Sequence, residues 1–541
     1  MNHFTTHKSY ILVPLQVYDE EFKKINFFLQ ILDKSGIDEI IYTSYSKNKK
    51  RGRSSYNPYH MFSTIAYCFA IRMGTLRQIE EMCNYDLRTM YLMDNERPSY
   101  KTFFEFINEV ILPNQYVIFT KICNTIIETF QLNITNQYLD GTKIEANANK
   151  YNFVWKPIKF HKNLDDKIKE QLKLMNIDFN PNELIKSNQL FEAINLYAKD
   201  SGFNPELIPS GKGKRISKEQ RYYKQCYKYL IKLIEYEEKE TICGHNRNSY
   251  YKTDHDATGM ALKTDYYSGH GSNLHAAYNL QILVSSGVIL FYGIFQDRTD
   301  YYTLKPLLDN YYKFYQSFPT NLCADSGYGI YENYKYLQEN NIGNYVKFLS
   351  WNGESSAKNP QLFYYSDDGN FTCLGGNIAT AIKYDTKHHQ RKKGATLYKF
   401  SGCNICDYSK KCKEKLKDKT SNFRLVELIP EYEAMKQNAR DNLLSRKGIE
   451  IRVNRSIQVE GTFGQIKQNM GYVRIRRRGI EKVGCEIMLV CLGRNIRKIF
   501  SMRNQDCVSD TYWKAPLNMP EETFIKPKKN KKKLLRNYFI S

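Results

Sequence analysis

Apolar and polar positions change period along this chain, and the changes mark its elements. Residues 10–45 carry short apolar patterns at helical spacing with little punctuation. Pro58 then opens the run HMFSTIAYCFAIRM, and Gly74 stops it. Thr75 and Gln78 stand as T-x-x-Q, the spacing of a capping box, ahead of LRQIEEMCNYD. Pro98 and Ser99 start a third helix, SYKTFFEFINEVI. Short helices separated by a Gly turn, with Arg72, Arg77 and Lys101 near helix starts, fit a helix-turn-helix or a plain helical bundle equally well. A polar–apolar run from Leu132 then climbs to Asp140, followed by Gly141 and a second extended piece, Thr142 to Ala148. Residues 162–240 return to helical period, as in DDKIKEQLKLM, with no strand signal, and predict an insertion between strands. From His275 the period becomes two. AAYNLQILVSS and GVILFYGIF predict a hairpin with Ser-Gly near its turn. The helix DYYTLKPLLDNYYKFYQ, the short strand NLCADSGYG, the helix YENYKYLQENN and the strand YVKFL follow.

Strand, strand, strand, helix, strand, helix, strand predicts a meander followed by right-handed parallel crossovers, an α/β mixed sheet with helices on its faces. This is the element order of the ribonuclease-H-like fold. There the first and fourth strands are neighbours about 4.8 Å apart, which would set Asp140 beside Asp325. Such a pair repels unless a divalent cation lies between. Alone, Asp140-Gly141 reads as ordinary turn chemistry; as a site, it reads as a strand-fixed carboxylate with a glycine that lets a substrate backbone approach. A third carboxylate, Glu460, lies in SIQVEGTFGQIKQN. Apolar Ile457, Phe463 and Ile466 predict an amphipathic helix from about Ser456, on which Glu460 and Lys467 share a face. An exposed Glu–Lys pair is the plain alternative. The basic run Arg474 to Arg478 follows directly.

Charge sharpens this picture. Lys and Arg number 80 against 57 Asp and Glu, a formal net charge of +23 across 541 residues, which points to a polyanionic partner. A membrane surface is the competitor, but no run of about 18 apolar residues occurs and no secretory signal opens the chain. A cytoplasmic, nucleoid-associated protein is the expectation. Of the 13 Cys, most are scattered as in a reducing compartment. Cys373, Cys403, Cys406 and Cys412 are grouped, and a C-x2-C pair with two more Cys suits a structural Zn2+ site, free thiols being the alternative. The basic stretches Lys47 to Arg53 and Lys526 to Arg536 are candidate phosphate contacts or solvated arms.

The stretches DGTKIEANANKYNFVW, ADSGYGIYENYKYL and VEGTFGQIKQNMGYVRIRRRG closely resemble insertion-sequence transposases of the Asp-Asp-Glu class, and NPYHMFSTIAYCFAIRMGTLRQIEEMC resembles the N-terminal domain of one branch of them, which also carries a cysteine-containing insert. The resemblance implies that Asp140, Asp325 and Glu460 form the catalytic triad and hold Mg2+ or Mn2+. It also implies that Lys467 contacts DNA; Arg474, Arg476, Arg477 and Arg478 are expected to join it. Related chains often have a Tyr and an Arg at set steps before the Glu; here Ser456 occupies the Arg step, with Arg452 and Arg455 nearby. The expected organisation is a helical DNA-binding domain over 1–130, first core strands over 131–160, a helical insertion over 161–250, core over 251–350, a Cys-rich insertion over 351–445, C-terminal core helices over 446–505 and a basic tail over 506–541. The expected function is DNA strand cleavage and strand transfer on transposon ends and target, by a homodimer or higher oligomer. A catalytically idle DNA-binding protein and a ribonuclease-H-like nuclease are the alternatives.

Overall fold

The computed structural model describes residues 18–45, 55–71, 74–209, 215–244, 247–262, 274–351, 362–366, 368–382, 384, 394–414, 416, 418–503 and 511–516. The basic stretches 47–53 and 526–536, and Arg72, lie outside the described residues.

The N-terminal block is helical: α1 (Asp19–Ser35), α2 (Ile37–Tyr45), α3 (Pro58–Ile71), α4 (Leu76–Tyr85), α5 (Leu87–Leu92), α6 (Tyr100–Phe106) and α7 (Leu112–Phe130). The local chemistry sets the boundaries. Gly36 ends α1 in the left-handed region at φ 60, where a residue without Cβ carries no steric penalty. Thr75 and Gln78 form the full capping box of α4, with the Thr75 N–H donating to Gln78 Oε1 at 2.7 Å. The Ser99 hydroxyl caps α6 by accepting from Thr102 N.

A six-stranded sheet follows, built from β1 (Asn136–Glu145), β4 (Thr258–Met260), β5 (His275–Ser285), β6 (Val288–Phe295), β7 (Asn321–Ala324) and β8 (Gly343–Val346). β1 runs antiparallel to β5 and parallel to β7, β7 runs parallel to β8, and β5 carries β4 and β6 on its other side. The β5–β6 hairpin turns at Ser286 and Gly287, both with positive φ (50 and 71), which matches the twist of a two-residue hairpin. Helices α11 (Leu304–Tyr315) and α12 (Tyr331–Glu339) provide the two parallel crossovers. The expected mixed α/β sheet with helices is observed, with β4 added to it as a strand that the sequence pattern did not predict.

Between β1 and β4 stand three helices, α8 (Ile158–Leu174), α9 (Ser187–Asp200) and α10 (Lys218–Cys243), with a hydrophobic core of their own around Ile168, Leu190, Ile194 and Leu233. A short pair, β2 (Phe153–Trp155) with β3 (Ser249–Tyr251), closes their base. After β8 come β9 (Phe363–Tyr365) and β10 (Phe371–Cys373), then a three-stranded sheet of β11 (Thr380–Ile382), β12 (Thr396–Ser401) and β13 (Phe423–Leu428). The chain then returns to the main sheet through α13 (Pro430–Leu444) and α14 (Arg446–Arg455), and ends its described core with α15 (Ile480–Met502).

α15 is buried along almost its whole length. The Asn495 side chain bonds both Ile289 N and Ile289 O of β6. A Cβ on Gly493 would come 2.6 Å from the Phe69 backbone of α3, so the two helices cross in backbone contact. One continuous core therefore runs from the N-terminal helices through the sheet to α15.

Candidate active site

β1 passes straight through Asp140 and Gly141 to Glu145, so the expected strand-to-turn position is instead a mid-strand one. Pairing with β5 continues through both residues, Asp140 opposite Ile282 and Gly141 opposite Gln281. What ends is the other neighbour. β1 and β7 pair at Asn136↔Asn321, Gln137↔Leu322 and Tyr138↔Cys323, an offset of 185. Asp140 and Asp325 share that offset, one step beyond the last residue of β7. Asp140 thus lies beside the point where β7 leaves the sheet, and Asp325 stands at that exit. Each carboxylate has one oxygen held by backbone: Asp140 Oδ1 accepts from Gly141 N at 2.8 Å, and Asp325 Oδ1 from Gly327 N at 2.9 Å.

Gly141 has a different purpose from the one its sequence suggested. The Gln281 side chain folds across it, and a Cβ there would collide with Gln281 Nε2 and come 2.9 Å from Asp300 Oδ1. The space left by the missing side chain is filled by the protein's own polar network rather than kept for a substrate backbone. Asp300 Oδ1 accepts from Asn279 Nδ2 and Gln281 Nε2, both at 2.8 Å, and Tyr328 OH donates to Gln281 Oε1. Burial, then the charges of Asp300, Asp140 and Asp325, push the Tyr328 phenol well above its ordinary value, which keeps it a donor. Gly141→Ala is expected to lower stability by about 1–3 kcal/mol, the range for overpacking, with urea unfolding as the measurement.

Glu460 arrives on a helix that does not keep a 3.6-residue period. After α14 the chain makes a π turn over Ser456–Glu460, an α turn over Gly461–Gly464 and a second π turn over Gln465–Asn469. Each π turn shifts the face presented to the sheet, a device frequent at functional sites. Hence the expected apolar face fails in part: Ile457 is 42% exposed, whereas Gln458, Val459, Thr462 and Ile466 are buried. Gln458 Oε1 accepts from Gly287 N at 2.9 Å. Lys467 Nζ donates to Thr142 Oγ1 at 2.6 Å and to Lys143 O at 3.1 Å, fixing the helix to the strand that carries Asp140. The Glu460 side chain is left 64% exposed.

Between the carboxylates lies Arg455, only 7% exposed. Its Nη1 is 3.2 Å from Asp140 Oδ2 and its Nη2 is 3.9 Å from Glu460 Oε1. Burial works against its charge, but Asp140, Cys323, Asp325 and Glu460 prevail and hold its pKa above the ordinary guanidinium value. Lys347 follows β8, and its pKa is lowered by burial and by the charges of Arg455 and Arg452. Lys347 and Asp300 did not stand out in the sequence, and Arg455 stood out only as an arginine near the expected step, with no role assigned. Asp300 and Lys347 lie just beyond β6 and β8 in sequence, a position next to strand ends that could have flagged them.

The basic run is bound into the fold. Arg474 faces Glu145 at 3.6 Å, Arg476 Nη1 donates to Gly74 O at 2.6 Å, Arg477 Nη1 to Asn108 Oδ1 at 2.9 Å and Arg478 Nε to Asn147 O at 2.8 Å. Buried Glu486 gathers the backbone N–H groups of Arg476 and Arg477. The run therefore ties the end of β1 to the N-terminal helices.

In the insert, Cys373, Cys403, Cys406 and Cys412 line one cavity of about 20 Å³. A Cβ on Gly375 would come 2.5 Å from Cys406 Sγ and 3.7 Å from Cys373 Sγ. Burial pushes the Cys403 and Cys412 thiols up. Among the described residues, no three Asp, Glu, His or Cys side chains are drawn close enough to hold a metal ion. At the carboxylates, the Arg455 guanidinium takes the intervening place.

No helix among the described residues is long and apolar enough to cross a membrane. A family model described as "Transposase DDE domain" matches residues 372–500, which include Glu460, and one described as "Transposase domain (DUF772)" matches residues 18–109, the N-terminal helices. No curated protein and no solved structure matches the chain. These two matches, at either end of a mixed α/β core, support an insertion-sequence transposase of the Asp-Asp-Glu class.

Proposed function

We propose that this transposase cuts DNA at the ends of an insertion sequence and joins them to target DNA, at a divalent-cation site made by Asp140, Asp325 and Glu460. The observation that carries the reading is the meeting of Asp140 and Glu460 on one buried cation, Arg455, beside the strand exit that bears Asp325. Carboxylates that already gather a guanidinium fit a hard cation, and an oxygen-only donor set favours Mg2+ or Mn2+ over Zn2+. When bound, such ions supply Lewis-acid stabilisation of the attacking and leaving oxygens in an in-line phosphodiester displacement.

The chain's own residues hold the frame for that displacement. The backbone N–H groups of Gly141 and Gly327 orient the two aspartates. Lys467 keeps the Glu460 helix against β1, and the Asn279–Gln281–Asp300–Tyr328 network supports the floor. The strand order β6-β5-β1-β7-β8 supports a ribonuclease-H-like reading of the core. The N-terminal helices and the excess positive charge serve DNA binding, and two element ends call for at least a dimer. The four cysteines, which line one cavity of the insert, would hold a structural Zn2+ once drawn together on it.

The test is an assay of the full-length chain with duplexes taken from the DNA flanking its gene and a supercoiled target, in Mg2+. Nicks at the element boundary and end-to-target joined products are expected. Binding without any cut or joined product would favour the idle DNA-binding alternative.

A further inference from the structure

Arg455 is a buried charge with unusual company. It is 7% exposed, so its charge must be balanced by neighbours rather than by water. The balance comes from Asp140 Oδ2 at 3.2 Å and Glu460 Oε1 at 3.9 Å, two groups of the proposed cation site. Neither contact is a bidentate fork of the kind that makes an Arg–carboxylate pair strong. Nη1 has no aligned hydrogen bond at all, so the guanidinium is held by charge and not by directional bonding. A group held in this way is displaceable. Around it, Lys347 and Arg452 add positive charge, and the Lys347 pKa is lowered first by burial and then by the charges of Arg455 and Arg452, so a second cation entering this site meets repulsion.

We infer that Arg455 is an internal counter-cation that competes with the divalent ion for Asp140 and Glu460, so that loading the site requires the guanidinium to move off these carboxylates. This rests on the cation-site reading above. Once displaced, the guanidinium is a surplus positive charge beside the site, and the anions a substrate brings there are phosphate oxygens. Arg455 would then neutralise the carboxylates before loading and the substrate afterwards. It would lower affinity for the free ion while favouring the loaded, DNA-bound state. The sign of the first effect is what separates this role from a structural one. Removing a packing residue loosens the carboxylates and weakens ion binding, whereas removing a competitor strengthens it.

The experiment is isothermal titration of Mn2+ into the full-length chain without DNA, for the wild type, Arg455→Gln, Arg455→Lys and Asp140→Asn, each checked for folding by circular dichroism. Arg455→Gln should bind Mn2+ about tenfold more tightly, the scale of one like charge removed at a few ångströms in a partly solvated site, and yet cut DNA more slowly. Arg455→Lys, whose ammonium can meet only one carboxylate at a time, should fall between it and the wild type. If Arg455→Gln, or Arg455→Lys should the first not fold, binds Mn2+ no more tightly than the wild type while Asp140→Asn loses binding, the counter-cation role is overturned and the cation site stands. If Asp140→Asn binds Mn2+ like the wild type, the cation-site reading itself is overturned.

Discussion

Asp140→Asn, Asp325→Asn and Glu460→Gln should each reduce DNA cleavage by about a thousandfold or more while leaving DNA affinity within about twofold. The first figure follows from several kcal/mol of transition-state charge stabilisation lost with the cation, at 1.36 kcal/mol per factor of ten. The second follows because affinity for DNA comes mainly from phosphate neutralisation by Lys and Arg, and none of the three substitutions removes a cation. Near-isosteric amides keep the hydrogen bonds from Gly141 N and Gly327 N, so the fold is preserved. The three variants should not be equal in stability. Asp140→Asn leaves buried Arg455 without its nearest counter-charge, a change that costs on the order of 3 kcal/mol when one partner of a buried pair is removed. Glu460 is mostly exposed, and its loss should barely move the unfolding midpoint. A gel assay of cleavage, filter binding and urea unfolding separate these effects. Any one of the three cutting at a near wild-type rate in Mg2+ would remove it from the triad.

Much of the frame was readable from residue order because it rests on strong local signals. The Ser286-Gly287 turn, the change from period three or four to period two at His275, and the Thr75–Gln78 box are short-range features, and each sits where expected. The neighbouring placement of Asp140 and Asp325 was expected from the strand order, which sets the first and fourth core strands side by side, and the observed β1–β7 register gives the offset of 185. The parts that escaped reading depend on contacts between distant segments. Gly141 read as room for substrate because nothing in the local sequence reveals that Gln281, 140 positions later, crosses it. The Glu460 helix read as regular because π turns have no composition signal, and so Ile457 was placed on the wrong face. Arg455 lies one residue before the step at which the related chains place their arginine. With the π turn starting at Ser456, it is Arg455 that reaches the carboxylates.

The same contrast explains the basic run. RIRRR looks like a DNA contact by charge, yet its arginines have partners in β1, in the loop before α4 and in the π turn before α7. Bonds to backbone oxygens orient an arginine without neutralising it. Arg478, bonded to Asn147 O, therefore keeps its full charge near the end of β1, close to the strand that carries Asp140. Glu486, which is buried and collects the backbone of Arg476 and Arg477, holds the run in this shape.

The insert offers the other large effect. Its own core is small, centred on Phe371, Cys373, Phe400 and Leu428, within a segment of five short strands. A single hydrophobic core in a segment of fewer than about 70–80 residues rarely supplies more than about 3–5 kcal/mol, and such segments often add a metal or a disulfide. All four cysteines are free thiols around one cavity, and Zn2+ there would supply folding free energy directly. We therefore expect about one Zn per chain, lost on chelation or in the double variant Cys403→Ser with Cys406→Ser. Loss of the ion should melt the β9–β13 segment, read as new amide exchange across 362–428, while the core around α15 stays protected. The consequence for activity travels through β13, which runs at Leu428 into α13 and from there into α14 and Arg455. α13 has anchors of its own, Tyr432 OH to Gly329 O and Tyr331 OH to Glu431, both at 2.6 Å, so the disturbance is partial. A displacement of about 1 Å at the Glu460 helix still costs up to about a hundredfold in rate. Cleavage by the double variant should fall between about tenfold and a hundredfold, with DNA binding retained. Elemental analysis showing no zinc in protein purified without chelators would sink the metal, and unchanged cleavage in the double variant would sink the coupling to Glu460.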